Sequence, residues 1–132
     1  MKLLVLASLA LAASAAAQAP NAARAKAVSI TMTDRGYVPR RIVLQRGAPY
    51  VLHVVNRSDK GHNLTQKSFF HSARVEPHDR GWTRGGRISL EAHRSATIRL
   101  RAPMTRPGGT YEFSSTTLGD ADNEYTGVFI MR

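Results

Sequence analysis

Imidazole and carboxylate side chains are the groups in this chain whose chemistry could form a metal site. Together they make a borderline-hard nitrogen and oxygen site that suits Cu(II) or Zn(II). The spacings of the five histidines match no compact metal motif. Two interpretations stay open, a metal site around some of them or separate, solvated histidines, and the irregular spacing favours the second. The histidines are His53, His62, His71, His78 and His93.

A short acidic segment interrupts an otherwise basic chain. Asp120, Asp122 and Glu124 offer oxygen ligands of the kind that Ca²⁺ prefers. The segment lacks the spacing and the glycine of an EF-hand loop, so a solvated acidic loop is the favoured interpretation.

Cysteine is absent. Its absence excludes disulfides, thiolate zinc sites, iron–sulfur clusters, a cysteine nucleophile and a blue-copper centre, which needs a thiolate ligand. No nucleophile elbow, phosphate-binding glycine loop or His-Glu-x-x-His motif is present either. The sequence therefore predicts a protein that is not an enzyme.

Positive charge dominates the composition. The 132 residues carry 19 Lys and Arg against 9 Asp and Glu, a formal net charge of +10. Arg87, Arg99 and Arg101 occupy outward positions of two predicted strands that we expect to be neighbours. They predict an anion-binding surface for an envelope component such as lipid headgroups or polysaccharide. A solubilising surface that protects a sheet edge is the alternative.

The first residues have the pattern of an export signal. A basic start is followed by an apolar run and by small residues ending at Ala17, typical of a cleaved signal peptide. The run is too short to span ~30 Å of hydrocarbon. We therefore expect a signal peptide at 1–17, a flexible leader at 18–27, and one domain at 28–132. The mature protein is expected to be periplasmic or secreted, without a membrane anchor.

The rest of the chain alternates apolar and polar residues with a period of two. Examples are Tyr50, Leu52 and Val54, with His53 predicted to be structural on the same strand. Glycine and proline turns separate such runs, and only 67–73 has room for a helical turn. Many short strands with regular turns predict an all-β sandwich or barrel.

Three stretches in this order and spacing resemble the cupredoxin family, to which plastocyanin and azurin belong. The resemblance implies a Greek-key β-sandwich and a copper loop near the C-terminus. It also implies that His62 stands at the first copper-ligand histidine. The stretches are Val28–Asp34 with Gly36–Pro39 and Ile42–Leu44, then Asn56 with Gly61–Leu64, and last Gly109–Phe113 with Gly127–Ile130.

The copper loop departs from the family pattern. Alignment on Tyr111 and Phe113 places Ser115 at the cysteine, Asp120 at the second histidine and Tyr125 at the methionine. A serine hydroxyl stays protonated near neutral pH and is a poor ligand for Cu(I). The resemblance therefore implies the fold without the family's electron-carrier activity.

Two functions follow as expectations. The leading one is an exported, non-enzymatic binding module without a type-1 copper site. Its partner is unidentified, and an anionic envelope component or a periplasmic protein would fit. Nucleic acid is not expected, because the chain is exported and no aromatic residues alternate with the basic ones. The alternative is a Cu(II)-binding protein that uses His62 with other imidazoles, for which His71 and Asp120 are candidate ligands. No cofactor is expected, and any copper would not be a type-1 centre.

Overall fold

The computed structural model describes residues 24–121 and 123–132. The predicted signal peptide at 1–17 and most of the predicted leader lie outside the described residues. The first strand begins at Lys26 and pairs it with Tyr50, so the end of the segment predicted as a flexible leader is part of the sheet. No helix in the described part of the chain is both long and apolar enough to cross a membrane.

Two five-stranded sheets form a β-sandwich, as the alternating sequence pattern predicted. In spatial order the first sheet contains β2 (Gly36–Val38), β1 (Lys26–Thr33), β4 (Pro49–Asn56), β8 (Ser95–Arg101) and β6 (Arg74–Val75). The second contains β3 (Arg41–Leu44), β10 (Thr126–Met131), β9 (Thr110–Ser114), β5 (His62–Thr65) and β7 (Arg87–Leu90).

Parallel pairs join strands that are distant along the chain. β1 runs parallel to β4, and β3 runs parallel to β10, while the other neighbours are antiparallel. These crossed connections make the sandwich a Greek key. They also bring the loop between β9 and β10 to the same end of the sandwich as the start of β5, because β5 pairs with both β7 and β9.

Aromatic side chains fill the space between the sheets. The Phe69 ring stacks on Phe129 with centroids 4.1 Å apart, and Phe129 lies 4.7 Å from Phe113. Phe113 meets the edge of Tyr37 at 4.9 Å, and Tyr37 meets Tyr125 at 4.7 Å. Each such pair contributes about 0.5–1.5 kcal/mol beyond its buried area. The chain of contacts links the interior to the loop that carries Tyr125.

The excursion between β5 and β7 closes one side of the sandwich. A short helix, α1 (Lys67–Ser72), stands where the sequence had room for a helical turn. After β6 the chain forms 3₁₀ turns over Pro77–Gly86, with non-helical backbone from Thr83 to Gly85. β6 and β7 are the outermost strands of the two sheets at this side, so the excursion covers both edges.

The expected placement of the arginine strands was wrong. Arg87 lies on β7 in the second sheet, whereas Arg99 and Arg101 lie on β8 in the first sheet. The connection between β7 and β8 crosses from one sheet to the other. Alternation shows which side chains point outward but not which strand becomes the neighbour.

Gly127 provides a test of the close packing between β9 and β10. A Cβ at this position would overlap the Phe113 ring and lie 3.0 Å from the Arg40 carbonyl oxygen. We expect Gly127→Ala to lower the free energy of unfolding by about 1–3 kcal/mol, because overpacking outweighs the reduced entropy of the unfolded chain. Urea unfolding measures the change.

Gly81→Ala is the matched control, because a Cβ there would meet no atom within 4 Å. Its free energy of unfolding should stay near or above that of the parent protein. Equal stability of the Gly127 and Gly81 variants would contradict the packing described at Phe113.

Candidate functional site

The structure brings four separated residues together at one end of the sandwich. His62 begins β5, Ser115 directly follows β9, and Tyr125 directly precedes β10. Asp120 lies in the loop between the last two strands. All four are at least nine-tenths buried. The four positions that the resemblance assigned to copper ligands are therefore neighbours in space.

The Asp120 carboxylate is the centre of this group. Its Oδ2 atom lies 2.5 Å from His62 Nδ1, and accepts hydrogen bonds from Ser115 Oγ at 2.5 Å and Thr117 Oγ1 at 2.7 Å. We call Asp120, His62, Ser115 and Thr117 the Asp120 network. Because a carboxylate only accepts, the contact with His62 requires a proton on Nδ1.

The Tyr125 ring covers one face of the network. It stacks on the His62 imidazole with a centroid distance of 4.6 Å. Its hydroxyl group points elsewhere and donates a hydrogen bond of 2.6 Å to the Thr33 carbonyl oxygen. Tyr125 therefore packs against His62 with its ring and anchors the β10 end to β1 with its oxygen.

Asn56 holds the turn that leads into His62. Its amide nitrogen donates to the carbonyl oxygens of Lys60, Leu90 and Glu91, at 2.8, 3.1 and 3.1 Å. Its amide oxygen accepts hydrogen bonds from the backbone and the hydroxyl of Ser58. The side chain is fully buried. These bonds position the start of β5 and thus the imidazole.

The negative charge of the Asp120 carboxylate is stabilised by hydrogen bonds. Burial, the largest single influence, acts to raise the pKa of Asp120, but the hydrogen bonds from Ser115, His62 and Thr117 together outweigh it. The pKa of Asp120 is therefore lower than its ordinary value, and the carboxylate stays ionised. Burial raises the pKa of Tyr125, and the nearby negative charge of Asp120 raises it further, so its phenol stays protonated.

This donor set does not fit the copper centre that the fold family implies. Type-1 copper requires a thiolate and two imidazoles. Here the four positions offer one imidazole, a hydroxyl, a carboxylate and a phenol, and the imidazole Nδ1 is already bonded to Asp120. His62 Nε2 is buried and has no hydrogen-bond partner among the residues described.

Apart from Asp120, the candidate ligands do not join His62. No group of three or more His, Cys, Asp or Glu side chains that could hold a metal ion occurs in 24–121 or 123–132. His71 lines a cavity beside α1, and the cavity that His62 lines is a different one. His93 pairs with the exposed Asp59 at 2.8 Å, and His53 contacts Thr97 Oγ1 across the sheet.

The predicted anion-binding arginines have different surroundings. The Arg99 side chain lies 3.9 Å from the Asp79 carboxylate, which also accepts the Arg99 backbone N–H at 2.9 Å. Arg101 donates to the Gly47 carbonyl oxygen at 3.0 Å. Arg87 is exposed and lines the same cavity as His71.

The acidic segment divides between the network and the surface. Asp120 is buried in the network, while Glu124 is exposed. Asn123 donates its side-chain amide to the Gly119 carbonyl oxygen at 2.7 Å and so closes the turn. Asp122, the third predicted acidic residue, lies outside the described residues.

Two residues of the site were not identified from the sequence. Thr117 precedes Asp120 by three positions, a spacing typical of local side-chain turns that could have indicated its role. Asn63 had no such signal. Its backbone N–H donates to Ser115 Oγ at 3.1 Å, and its side chain bonds Thr116. These bonds join β5 to the loop after β9.

The lowered pKa of Asp120 predicts a loss of stability in acid. A carboxyl group with a lowered folded-state pKa contributes stability that is fully present above the unfolded pKa of about 4. This contribution disappears as pH falls through the folded-state pKa. Asp120→Asn should lower the free energy of unfolding by about 2 kcal/mol at neutral pH. The difference from the parent protein should shrink in acid, as urea unfolding across pH would measure.

Asp59→Asn is the control for general charge effects. Asp59 forms an exposed ion pair with His93, which contributes little to stability. A difference between Asp120→Asn and the parent protein that stays constant from neutral to acidic pH would contradict the charged network.

The comparisons with known proteins agree with the fold described above. A sequence model of the family described as "Cupredoxin-like domain" matches residues 3–122. None of the curated proteins matches the chain. Among solved structures, the dithionite-reduced auracyanin of the photosynthetic bacterium Roseiflexus castenholzii superposes with a TM-score of 0.59 at 17% identity, covering 82% of this chain and 98% of auracyanin.

A second similar structure is auracyanin B, with a TM-score of 0.57 at 14% identity, covering 83% of this chain and 90% of auracyanin B. At these identities the superpositions show a shared fold. The family match extends over most of the chain. The chain therefore belongs to the cupredoxin family, as a member without the cysteine of the type-1 copper site.

Proposed function

We propose that this protein is an exported, non-enzymatic binding module whose former copper position serves as a structural element. The observation that carries the proposal is the Asp120 network. Each of the four aligned side chains bonds to another of them or to the backbone, and the Asp120 carboxylate also accepts from Thr117. Only His62 Nε2 has no partner among the described residues. A site built in this way stabilises the loop and offers one unpartnered nitrogen instead of a set of ligands.

Electron transfer through type-1 copper is not part of the proposal. The fold usually serves as an electron carrier, and that activity depends on a thiolate that this chain lacks. The hydroxyl of Ser115 donates a hydrogen bond to Asp120, so it acts as a donor and not as a metal ligand.

No specific observation favours the alternative of a Cu(II) site made from His62 and other imidazoles. The Nδ1 atom of His62 is bonded to Asp120, and His71 lines a separate cavity.

Export is proposed from the signal pattern in the sequence, and a periplasmic or secreted location follows from it. An anionic partner is supported by the net charge of +10.

Copper titration tests the proposal directly. Cu(II) added to the purified protein should produce no intense blue absorption band, because that band requires a copper–thiolate bond. Any weak binding by exposed imidazoles should be unchanged in His62→Ala. A loss of tenfold or more in copper affinity in that variant, about 1.4 kcal/mol, would instead assign a metal-binding function to His62.

A grafted site tests whether the scaffold still has the family geometry. Ser115→Cys, Asp120→His and Tyr125→Met together restore the expected ligands beside His62. Asp120 contacts both His62 and Ser115, and the Tyr125 ring stacks on His62. We therefore expect the triple variant to turn blue with Cu(II). The double variant Asp120→His with Tyr125→Met is the matched control and should stay colourless. A folded but colourless triple variant would contradict the placement of these positions.

A further inference from the structure

A groove runs along the side of the sandwich between α1 and the 3₁₀ turns. Two neighbouring cavities, of about 700 and 530 Å³, share Phe70, His71 and Thr83 in their linings and so form one continuous depression. We call this depression the basic groove. Its cationic lining residues are Lys67, Arg74, Arg80 and Arg87, and His71 also lines it.

The two sides of the basic groove are bonded to each other. The Gln66 backbone N–H donates to the Gly86 carbonyl oxygen at 2.9 Å, and the Gln66 side chain caps the Ser68 N–H at 3.0 Å. Gly86 has a φ of +75° and approaches Lys67 so closely that a Cβ there would overlap Lys67. Only glycine fits this contact, so the positions of Lys67 and Arg87 are set by the backbone.

No described acidic residue neutralises the positive charge in the basic groove. Within 24–121 and 123–132, no Asp or Glu lines either cavity. In the described part of the chain, the ion pairs are His62–Asp120, His93–Asp59 and Arg99–Asp79, and none includes a residue of the groove. Because none of these three acids contacts the groove, its cations keep their charge and the groove attracts an anion.

The remaining lining residues add binding chemistry to the charge. The Phe70 side chain lies at the base and is 7% exposed, so it presents a small apolar surface. Ser68 and Thr83 supply hydroxyl groups that can donate hydrogen bonds. Arginine offers a planar pair of donors that matches two oxygens of one anion, and lysine adds a point charge.

We propose that the basic groove binds a phosphate group of a phosphorylated ligand between Lys67 and Arg87. A phosphate monoester carries close to two negative charges at neutral pH and three acceptor oxygens, which requires more than one cation. This inference names the ligand class for the proposed binding function and rests on it. The phosphate monoester can belong to a small soluble ester or to the headgroup of phosphatidic acid, and the chemistry is the same.

Trp82 provides a reporter of binding. It is the only tryptophan of the chain, is 42% exposed, and lies between Arg80 and Thr83, which both line the groove. The first experiment titrates the purified protein with glycerol 3-phosphate and follows Trp82 fluorescence, with sodium chloride at equal ionic strength as the reference. The second measures cosedimentation with phosphatidylcholine vesicles and with vesicles of equal parts phosphatidylcholine and phosphatidic acid, whose headgroup is a phosphate monoester.

Two charge-matched variants locate the binding. Lys67→Gln with Arg87→Gln removes two exposed cations of the groove. Lys26→Gln with Arg41→Gln removes two exposed cations that line neither groove cavity. We expect about a tenfold loss of phosphate affinity in the groove variant, because charge-assisted hydrogen bonds are lost. The control should change by less than about twofold.

The arms of the experiment identify the source of the phosphate. Saturable binding of glycerol 3-phosphate that depends on Lys67 and Arg87 supports a soluble ligand. Binding only to the anionic vesicles, with the same dependence, supports a lipid headgroup. Equal weakening of both variants, or no binding of either probe, overturns the groove proposal. These outcomes leave the copper titration unaffected, so failure of the groove and failure of the binding-module proposal are distinguishable.

Discussion

A buried carboxylate can stay ionised only where hydrogen bonds replace the water that it loses, and this constraint organises one end of the molecule. Asp120 accepts from His62, Ser115 and Thr117 and thereby joins β5 to the loop between the last two strands. Removal of one donor would leave the Asp120 carboxylate with too few hydrogen bonds to replace its lost hydration. The network therefore holds this loop as a unit.

The same end of the cupredoxin fold is arranged to present four converging side chains. In this chain the convergence is retained, but the atoms that meet are donors and acceptors for one another. The Tyr125 ring completes the arrangement by stacking on His62 at 4.6 Å, while its hydroxyl group bonds β1. A scaffold that preorganises ligands serves equally well to preorganise hydrogen bonds, because both need short, directed contacts.

Charge is distributed unevenly over the remaining surface. Asp79 is bonded to Arg99, and Asp59 is bonded to His93, so these acids partner cations outside the basic groove. Lys67 and Arg87 stand where the excursion between β5 and β7 covers both sheet edges, with no acid beside them in the groove. The excursion thus separates a basic binding surface from the Asp120 network, and the two can be altered independently.

The sequence by itself determined the longer strands and the helical turn near Lys67, because alternation and turn residues are local signals. The family followed from the resemblance of three motifs in their order along the chain. The lack of cysteine alone excluded type-1 copper. Only the tertiary structure decided which polar atoms meet. His62 and Asp120 are 58 residues apart, and Asn63 on β5 bonds to Thr116 in the loop after β9, 53 residues away. It also placed Arg87 and Arg99 on different sheets, since periodicity specifies the face of a strand but not its neighbour.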